Sequence, residues 1–244
     1  MSIDFGFKKN KKQHFVQGVF TKIADKYDIM NNIMSFGLHQ QWKNILVNQI
    51  DSYKDQYLLD LAGGTGDVAK NFINRGGDKA IVYDLNQKML NNGEISLYNK
   101  LNEKYLHNIR WLKGSAENIA FSDNTFDFCT ISFGLRNVTN IKNVLQESLR
   151  VLKPGGKFIC LEFSKIDNKV MAKIYHFYSF KIIPKIGLLI AGSQDAYQYL
   201  VESIKQFYNA EELKTLMKNI GYYSVKYKML SFGVVAIHSG YKIY

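Results

Sequence analysis

The chain has 244 residues, 46% hydrophobic and 22% charged, which excludes disorder and suits one α/β-sized domain with elaborations. Two cysteines, Cys129 and Cys160, are too few for a metal framework or a disulfide scaffold, so no metal is expected. The balance of 32 basic and 21 acidic residues leaves +11, yet only Arg75, Arg110, Arg136 and Arg150 are arginines. Scarce Arg argues against nucleic acid, because Arg is the preferred reader of phosphates and bases.

The positive balance is read first as compositional, in a chain rich in Asn, Ile, Tyr and Phe, and second as suited to an anionic phospholipid surface. Residues 1–12 (MSIDFGFKKNKK) have no apolar run and no Arg, and they carry Asp4. Neither a secretory nor a mitochondrial leader is expected. Residues 13–50 read as helices, with apolar residues at helical spacing in FVQGVFTKIADKYDIM and QWKNILVNQI.

From about residue 57 the texture alternates. YLLDLA, KAIVYDL, IRWLKGSA, FDFCTISFG and GKFICLEFS read as strands; GTGDVAKNFINRG, QKMLNNGEISLYNKL and IKNVLQESLRVL read as helices. This rhythm predicts a doubly wound, mostly parallel sheet of Rossmann-like type. Both cysteines fall in its apolar strands, as buried reduced thiols of a cytosolic protein would. Residues 166–205 interrupt with a helical, aromatic-rich insertion. The run Ile182 to Gly192 is broken by Pro184 and Lys185 and falls short of the roughly 20 residues that span a bilayer. The helix AEELKTLMKNIG then leads to YSVKYKML and GVVAIHSGYK, joined around Ser231–Gly233, which predict a terminal antiparallel hairpin.

YLLDLAGGTGDVA (residues 57–69) runs a buried strand into a glycine turn and a helix. Gly63, Gly64 and Gly66 permit unusual backbone angles and close approach of a ligand to the main chain. Asp84, at the end of the next strand, can accept hydrogen bonds from ribose hydroxyls. An adenosine-containing ligand follows. Gly64-Thr-Gly66-Asp-Val-Ala69 also satisfies a dinucleotide fingerprint, so a nicotinamide reductase competes. Its Tyr-x-x-x-Lys pair would have to be Tyr222 and Lys226, which a strand separates by about 13 Å. Asp60 suits the cationic amino end of S-adenosylmethionine, whereas Asp60 and Asp67 would repel a pyrophosphate. Ser115, Ala116 and Glu117 follow a third strand, where they can bracket an adenine.

The ordered run D-x-A-G-G-T-G, D-x-N-x-x-M-L (Asp84–Leu90) and L-K-P-G-G resembles class I S-adenosylmethionine-dependent methyltransferases. VFTKIADKYDIMNNIMSFGLHQQWK (19–43), TISFGLRNVTN (130–140), YQYLVESIKQF (197–207) and GVVAIHSGYK (233–242) narrow the resemblance to the ubiquinone/menaquinone C-methyltransferase family, from about residue 15 onward. The resemblance implies C-methylation of a polyprenylated quinol, demethylmenaquinol or a methoxy-benzoquinol. It also implies cofactor contacts at Thr65, Asp84, Ser115, Ala116 and Ser132. Gln41 replaces the family's usual Arg, which puts a phosphate clasp there in doubt, and Tyr208 replaces a usual Pro.

Within a single methyltransferase domain, the expected parts are a helical cap (1–50), a cofactor-binding core (54–165), an acceptor-side insertion (166–205) and a closing helix with hairpin (206–244). Arg136 is the expected catalytic residue, a cation beside a developing quinolate oxygen rather than a base. A salt bridge that fixes the loop is its structural alternative. His39, Glu162, His176 and Tyr197 are the candidate bases. Phe20, Tyr27, Met30, Met34, Tyr175, Phe177, Tyr178, Phe180 and residues 182–192 are the expected acceptor walls. A cytoplasmic protein that docks transiently on an anionic leaflet, as a homodimer or within a quinone-biosynthesis complex, would fit. A non-catalytic adenosine-binding scaffold subunit of such a complex stays open as a second reading.

Overall fold

The computed structural model describes residues 9–24, 31–32, 35, 37–50, 54–98, 107–165 and 194–244. The alternating pattern folds as expected into seven strands: β1 (Tyr57–Leu61), β2 (Lys79–Asp84), β3 (Ile109–Lys113), β4 (Phe126–Ser132), β5 (Leu152–Phe163), β6 (Tyr223–Leu230) and β7 (Val235–Tyr241). Their order in one sheet is β3-β2-β1-β4-β5-β7-β6. Strands β1 to β5 run parallel, and β7 pairs antiparallel with both β5 and β6. The direction of winding reverses between β1 and β4, and such a switch point opens a crevice at the carboxyl ends of the strands.

Among the described residues the α-helices beside the strands include α1 (Lys9–Ile23), α2 (Leu38–Val47), α3 (Asp67–Asn74), α4 (Gln87–Tyr98), α5 (Ile141–Val151), α6 (Gln194–Gln206) and α7 (Ala210–Ile220). Alternation within the buried strands splits the core between two faces. Leu58, Val82 and Ile159 pack with α2 and α3 residues such as Leu46 and Phe72. Leu59, Ile81 and Phe158 pack on the other face with Val144 of α5 and Met217 of α7. Cys129 and Cys160 are buried free thiols in that second layer, as their strand-like runs predict.

Local signals account for the element ends. The side chain of Asn140 caps α5 by accepting from Asn143 N–H. Asn209 and Glu212 form a reciprocal capping box on α7, which ends at Gly221 with φ 118°. The strand β5 starts earlier than GKFICLEFS suggests. It takes in Lys153, Pro154 and the two glycines through a register irregularity against β4. Of the expected insertion 166–205, α6 supplies residues 194–205; residues 166–193 lie outside the described residues. Among the described residues, no helix is long and apolar enough to cross a membrane.

Candidate functional site

The carboxyl ends of β1 to β4 meet over one cavity of about 820 Å3, its open mouth included. The turn after β1 shapes its floor. Gly64 lines the cavity, and Gly64 and Gly66 have φ of 55° and 73°, values that a side chain strains. The other two glycine positions answer to packing. A Cβ at Gly63 would stand 2.8 Å from both Asp60 Oδ2 and Val82, and one at Gly66 would fall 2.5 Å from the Trp111 ring. Thr65 is buried beside them without lining the cavity.

Two carboxylates flank the turn. Asp84 lines the cavity; its Oδ2 accepts Gly64 N–H at 3.0 Å and its Oδ1 accepts Asn86 N–H at 2.8 Å. Each carboxylate oxygen has a second lone pair, so ribose hydroxyls can still be received. Burial raises the Asp84 pKa, opposed by these backbone donors. Asp60 sits one strand inward, paired with Thr130 across β1 and β4. The Thr130 hydroxyl donates to its Oδ1 at 2.9 Å, while Oδ2 is buried with no partner among the described residues. Burial pushes the carboxyl up to about 7, against the hydrogen bond from Thr130 and the charge of Lys43.

The ends of β3 and β4 close two further sides. Gly114, Ser115, Ala116 and Glu117 line the cavity after β3. Ser115 Oγ accepts Glu117 N–H at 3.2 Å, and Glu117 accepts Thr139 N–H and hydroxyl at 2.7 Å. After β4, Ser132 reaches the cavity with a buried hydroxyl that has no partner among the described residues. Such an orphaned acceptor and donor is costly unless a ligand satisfies it. The donor set fits S-adenosylmethionine: Asp60 Oδ2 for a cation, Asp84 for ribose, the 114–117 turn for an adenine edge, and Ser132 for a polar group between them.

Arg136 stands apart from this lining. Its Nη1 donates to Glu162 Oε1 and to the Phe133 carbonyl, each at 2.7 Å, and its backbone N–H donates to Glu162 Oε2 at 3.2 Å. The guanidinium lies 5.1 Å from the Phe163 ring centroid. It is buried in an ion pair and does not line the cavity. The loop-fixing salt bridge is therefore the arrangement present among the described residues. Its neighbour Asn137 does line the cavity; the amide donates to Phe133 carbonyl at 3.1 Å and accepts from Tyr199 hydroxyl at 3.1 Å. Burial lifts the Tyr199 phenol to about 12.

Helices from outside the core supply the remaining wall. Val16, Gln17 and Phe20 of α1 line the cavity, and Asn86 Nδ2 holds α1 in place by donating to Thr21 at 3.0 Å. Lys43 of α2 donates to Asp67 at the start of α3, with N and O 2.6 Å apart. His39 of α2 is buried against Ser35 and Gln40 away from the cavity, and burial lowers it to about 4. It stays neutral at physiological pH. Glu162 is spent on Arg136, so neither described base candidate faces the cavity. Tyr27, Met30, Met34, Tyr175, His176, Phe177, Tyr178, Phe180, residues 182–192 and the Tyr197 side chain lie outside the described residues. Sequence reasoning missed Val16, Gln17, Met89, Asn137, Val138 and Thr139. Met89 within D-x-N-x-x-M-L and Asn137 beside Arg136 carried a usable signal.

The likeness of this chain to known proteins spans nearly its whole length. It is 45% identical to the ubiquinone/menaquinone biosynthesis C-methyltransferase UbiE of Rickettsia prowazekii, over 98% of each chain. It is 42% identical to the mitochondrial 2-methoxy-6-polyprenyl-1,4-benzoquinol methylase of Dictyostelium discoideum, over 98% of this chain and 86% of that one. Its fold matches that of a SAM-dependent methyltransferase of Thermotoga maritima, with a TM-score of 0.64 at 17% identity over 93% of this chain and 99% of that one. The cyclase SpnF has the same TM-score at 15% identity, covering 84% of this chain and 81% of SpnF, so the fold by itself does not fix the chemistry. The model of the ubiE/COQ5 methyltransferase family matches residues 7–242. This chain belongs to the ubiE/COQ5 methyltransferase family.

Proposed function

We propose that this protein transfers a methyl group from S-adenosylmethionine to a ring carbon of a polyprenylated quinol, a demethylmenaquinol or a methoxy-benzoquinol, in ubiquinone or menaquinone synthesis. The observation that carries the reading is the cavity at the winding reversal. There Ser132 Oγ in the lining and Asp60 Oδ2 beside the glycine turn are buried with no hydrogen-bond partner among the described residues, in a chain whose near-full-length relatives are named for that methylation.

When bound, S-adenosylmethionine supplies a methyl group activated by a sulfonium. The residues of this chain hold and orient. Asp84 accepts the ribose hydroxyls, Asp60 receives the α-ammonium, and the Gly63–Gly66 turn lets the donor close on the main chain. Thr65 supports that turn, and Ser115, Ala116 and Ser132 bracket the adenosine. The acceptor ring lies on the side bounded by Phe20, Phe133 and Asn137, where apolar groups exclude water and set the carbon in near-attack geometry. Arg136 acts as a positioning residue: through Glu162 and the Phe133 carbonyl it fixes the loop that presents Asn137. Because the acceptor is lipid-soluble, a cytoplasmic location with transient docking on an anionic leaflet suits it, as a homodimer or within a quinone-biosynthesis complex.

Purified protein given S-adenosylmethionine and a short-chain quinol should yield a product one methyl group heavier by mass spectrometry. In calorimetry the donor and its demethylated product should bind, and a nicotinamide dinucleotide should not. Ser132→Ala should weaken donor binding by about tenfold, the scale of one lost hydrogen bond to a charged or buried partner. Absence of methyl transfer to both quinol classes would overturn the reading.

A further inference from the structure

The turn between β6 and β7 bears two local costs. Val234 N–H closes it on the Ser231 carbonyl at 3.2 Å, so Phe232 and Gly233 are its central pair, with φ of 57° and 95°. With Ser231 at φ 49°, three left-handed residues follow one another in the four-residue loop closed by the Leu230–Val235 pair; Phe232 and Gly233 take the signs of a type I′ turn, whose first central position ordinarily holds Asn, Asp or Gly. Phenylalanine is strained there. Phe232 is also 80% exposed, so packing returns little for the strain.

Its position in the fold gives the ring a use. Leu230 pairs with Val235, and Val235 with Phe163 at the end of β5, which places the turn at the carboxyl edge of the sheet, the edge that carries the cavity. An aromatic bridge joins the two. Phe133 lines the cavity and lies 4.9 Å from Phe163 and 6.1 Å from Trp42 between ring centroids; Trp42 Nε1 in turn donates to Ser231 Oγ at 2.9 Å. Charge favours one kind of partner. Lys165, next to Ser164, whose N–H bonds the Val234 carbonyl at 3.0 Å, is exposed, as are Lys226 and Lys228 on β6. From Leu213 to Tyr244 the sequence has five lysines and no Asp or Glu.

The same lysines oppose a second copy of the chain. Strand β6 ends the sheet, and lysines on a free edge disfavour strand-to-strand pairing. A partner that accepts a protruding ring and diffuse positive charge, and demands no matching shape, is the interface of an anionic bilayer. We propose that Phe232 inserts into that interface and, with Lys165, Lys226 and Lys228, seats the carboxyl edge of the sheet on the membrane. The inference deepens the polyprenyl-quinol reading and rests on it only for the purpose of docking, which is to bring the cavity to a membrane-held acceptor.

Phe232→Asn and Phe232→Gly separate docking from folding, because both residues relax the left-handed turn. In co-sedimentation with phosphatidylcholine vesicles that contain phosphatidylglycerol, wild type should bind and lose binding as salt rises. Both variants should bind roughly tenfold more weakly, the scale of one apolar side chain withdrawn from lipid. Their melting temperatures should equal or exceed that of wild type. Phe232→Trp should keep binding and shift its emission to the blue on vesicles, above the background of Trp42 and Trp111. Undiminished binding of the Asn variant, an unmoved Trp spectrum, a fall in melting temperature with Phe232→Gly, or no vesicle binding by wild type would each overturn the proposal. Turnover of a water-soluble short-chain quinol keeps the two readings apart. If wild type methylates it while vesicle binding ignores position 232, the docking site falls and the function stands; if no quinol is methylated but binding depends on Phe232, the reverse holds.

Discussion

Asp60 is a carboxylate placed where burial outweighs both the Thr130 hydroxyl and the charge of Lys43. One oxygen takes the Thr130 hydroxyl, the other takes nothing among the described residues, and burial raises the group from its ordinary 3.8 to about 7. Below the ordinary value the folded and unfolded chains both hold the proton. Between 3.8 and about 7 only the folded chain keeps it, so the contribution of Asp60 to the stability of the ligand-free protein falls as pH climbs through that window and levels off above it, opposite in sign to the contribution of the buried His39. The loss is on the order of a few kcal/mol. The difference in thermal midpoint between wild type and Asp60→Asn should move against wild type as pH climbs through the window, and Asp60→Asn should also bind S-adenosylmethionine more weakly. Parallel curves would refute the assignment. Arg136 answers to a different accounting. Arg136→Ala leaves Glu162 buried without its cation and should cost about 3–5 kcal/mol of stability, read by chemical denaturation. Arg136→Met with Glu162→Gln should regain most of that and keep donor affinity within a few-fold. Wild-type turnover in that double variant would remove the ion pair from the positioning of Asn137.

Among the elements, the β1–α3 turn shows how one motif divides its labour. Sequence reasoning assigns its glycines to unusual backbone angles and ligand approach, yet Gly66 must also be small because Trp111 of β3 lies over it, and a Cβ on Gly93 of α4 would fall 2.6 Å from the same indole. That division was not legible, since it depends on a side chain from a strand two places along the sheet. Gly66→Ala adds a clash to an unfavourable φ and should destabilise by roughly 2–4 kcal/mol. Trp111→Leu in the same background should restore the part due to the clash and leave the part due to φ. If the two losses simply add in a double-mutant cycle, the packing account of Gly66 is wrong. The loop after β4 was half legible. ISFGLRNV marks it as special, but the partner of Arg136 is Glu162 at the end of another strand, and nothing local to GLRN names it.

For the molecule as a whole, strand and helix periods were enough to read the doubly wound sheet and its closing hairpin, because core-facing alternation leaves a period in the sequence. The cavity wall drawn from α1 was less legible. Phe20 was expected there, while Val16 and Gln17 sit on a helix whose apolar spacing serves packing and lining alike. Glycine, Asp and Ser positions at strand ends were legible because their chemistry is scarce inside apolar strands. The long-range tie between Trp42 and Ser231 has a kinetic corollary. A helix made among the first fifty residues cannot take its final seat until a hairpin almost two hundred positions later has left the ribosome. Contacts so distant along the chain form slowly, so the emerging polypeptide must carry the Trp42 surface unshielded through most of its synthesis, and folding assistance should matter most for that helix.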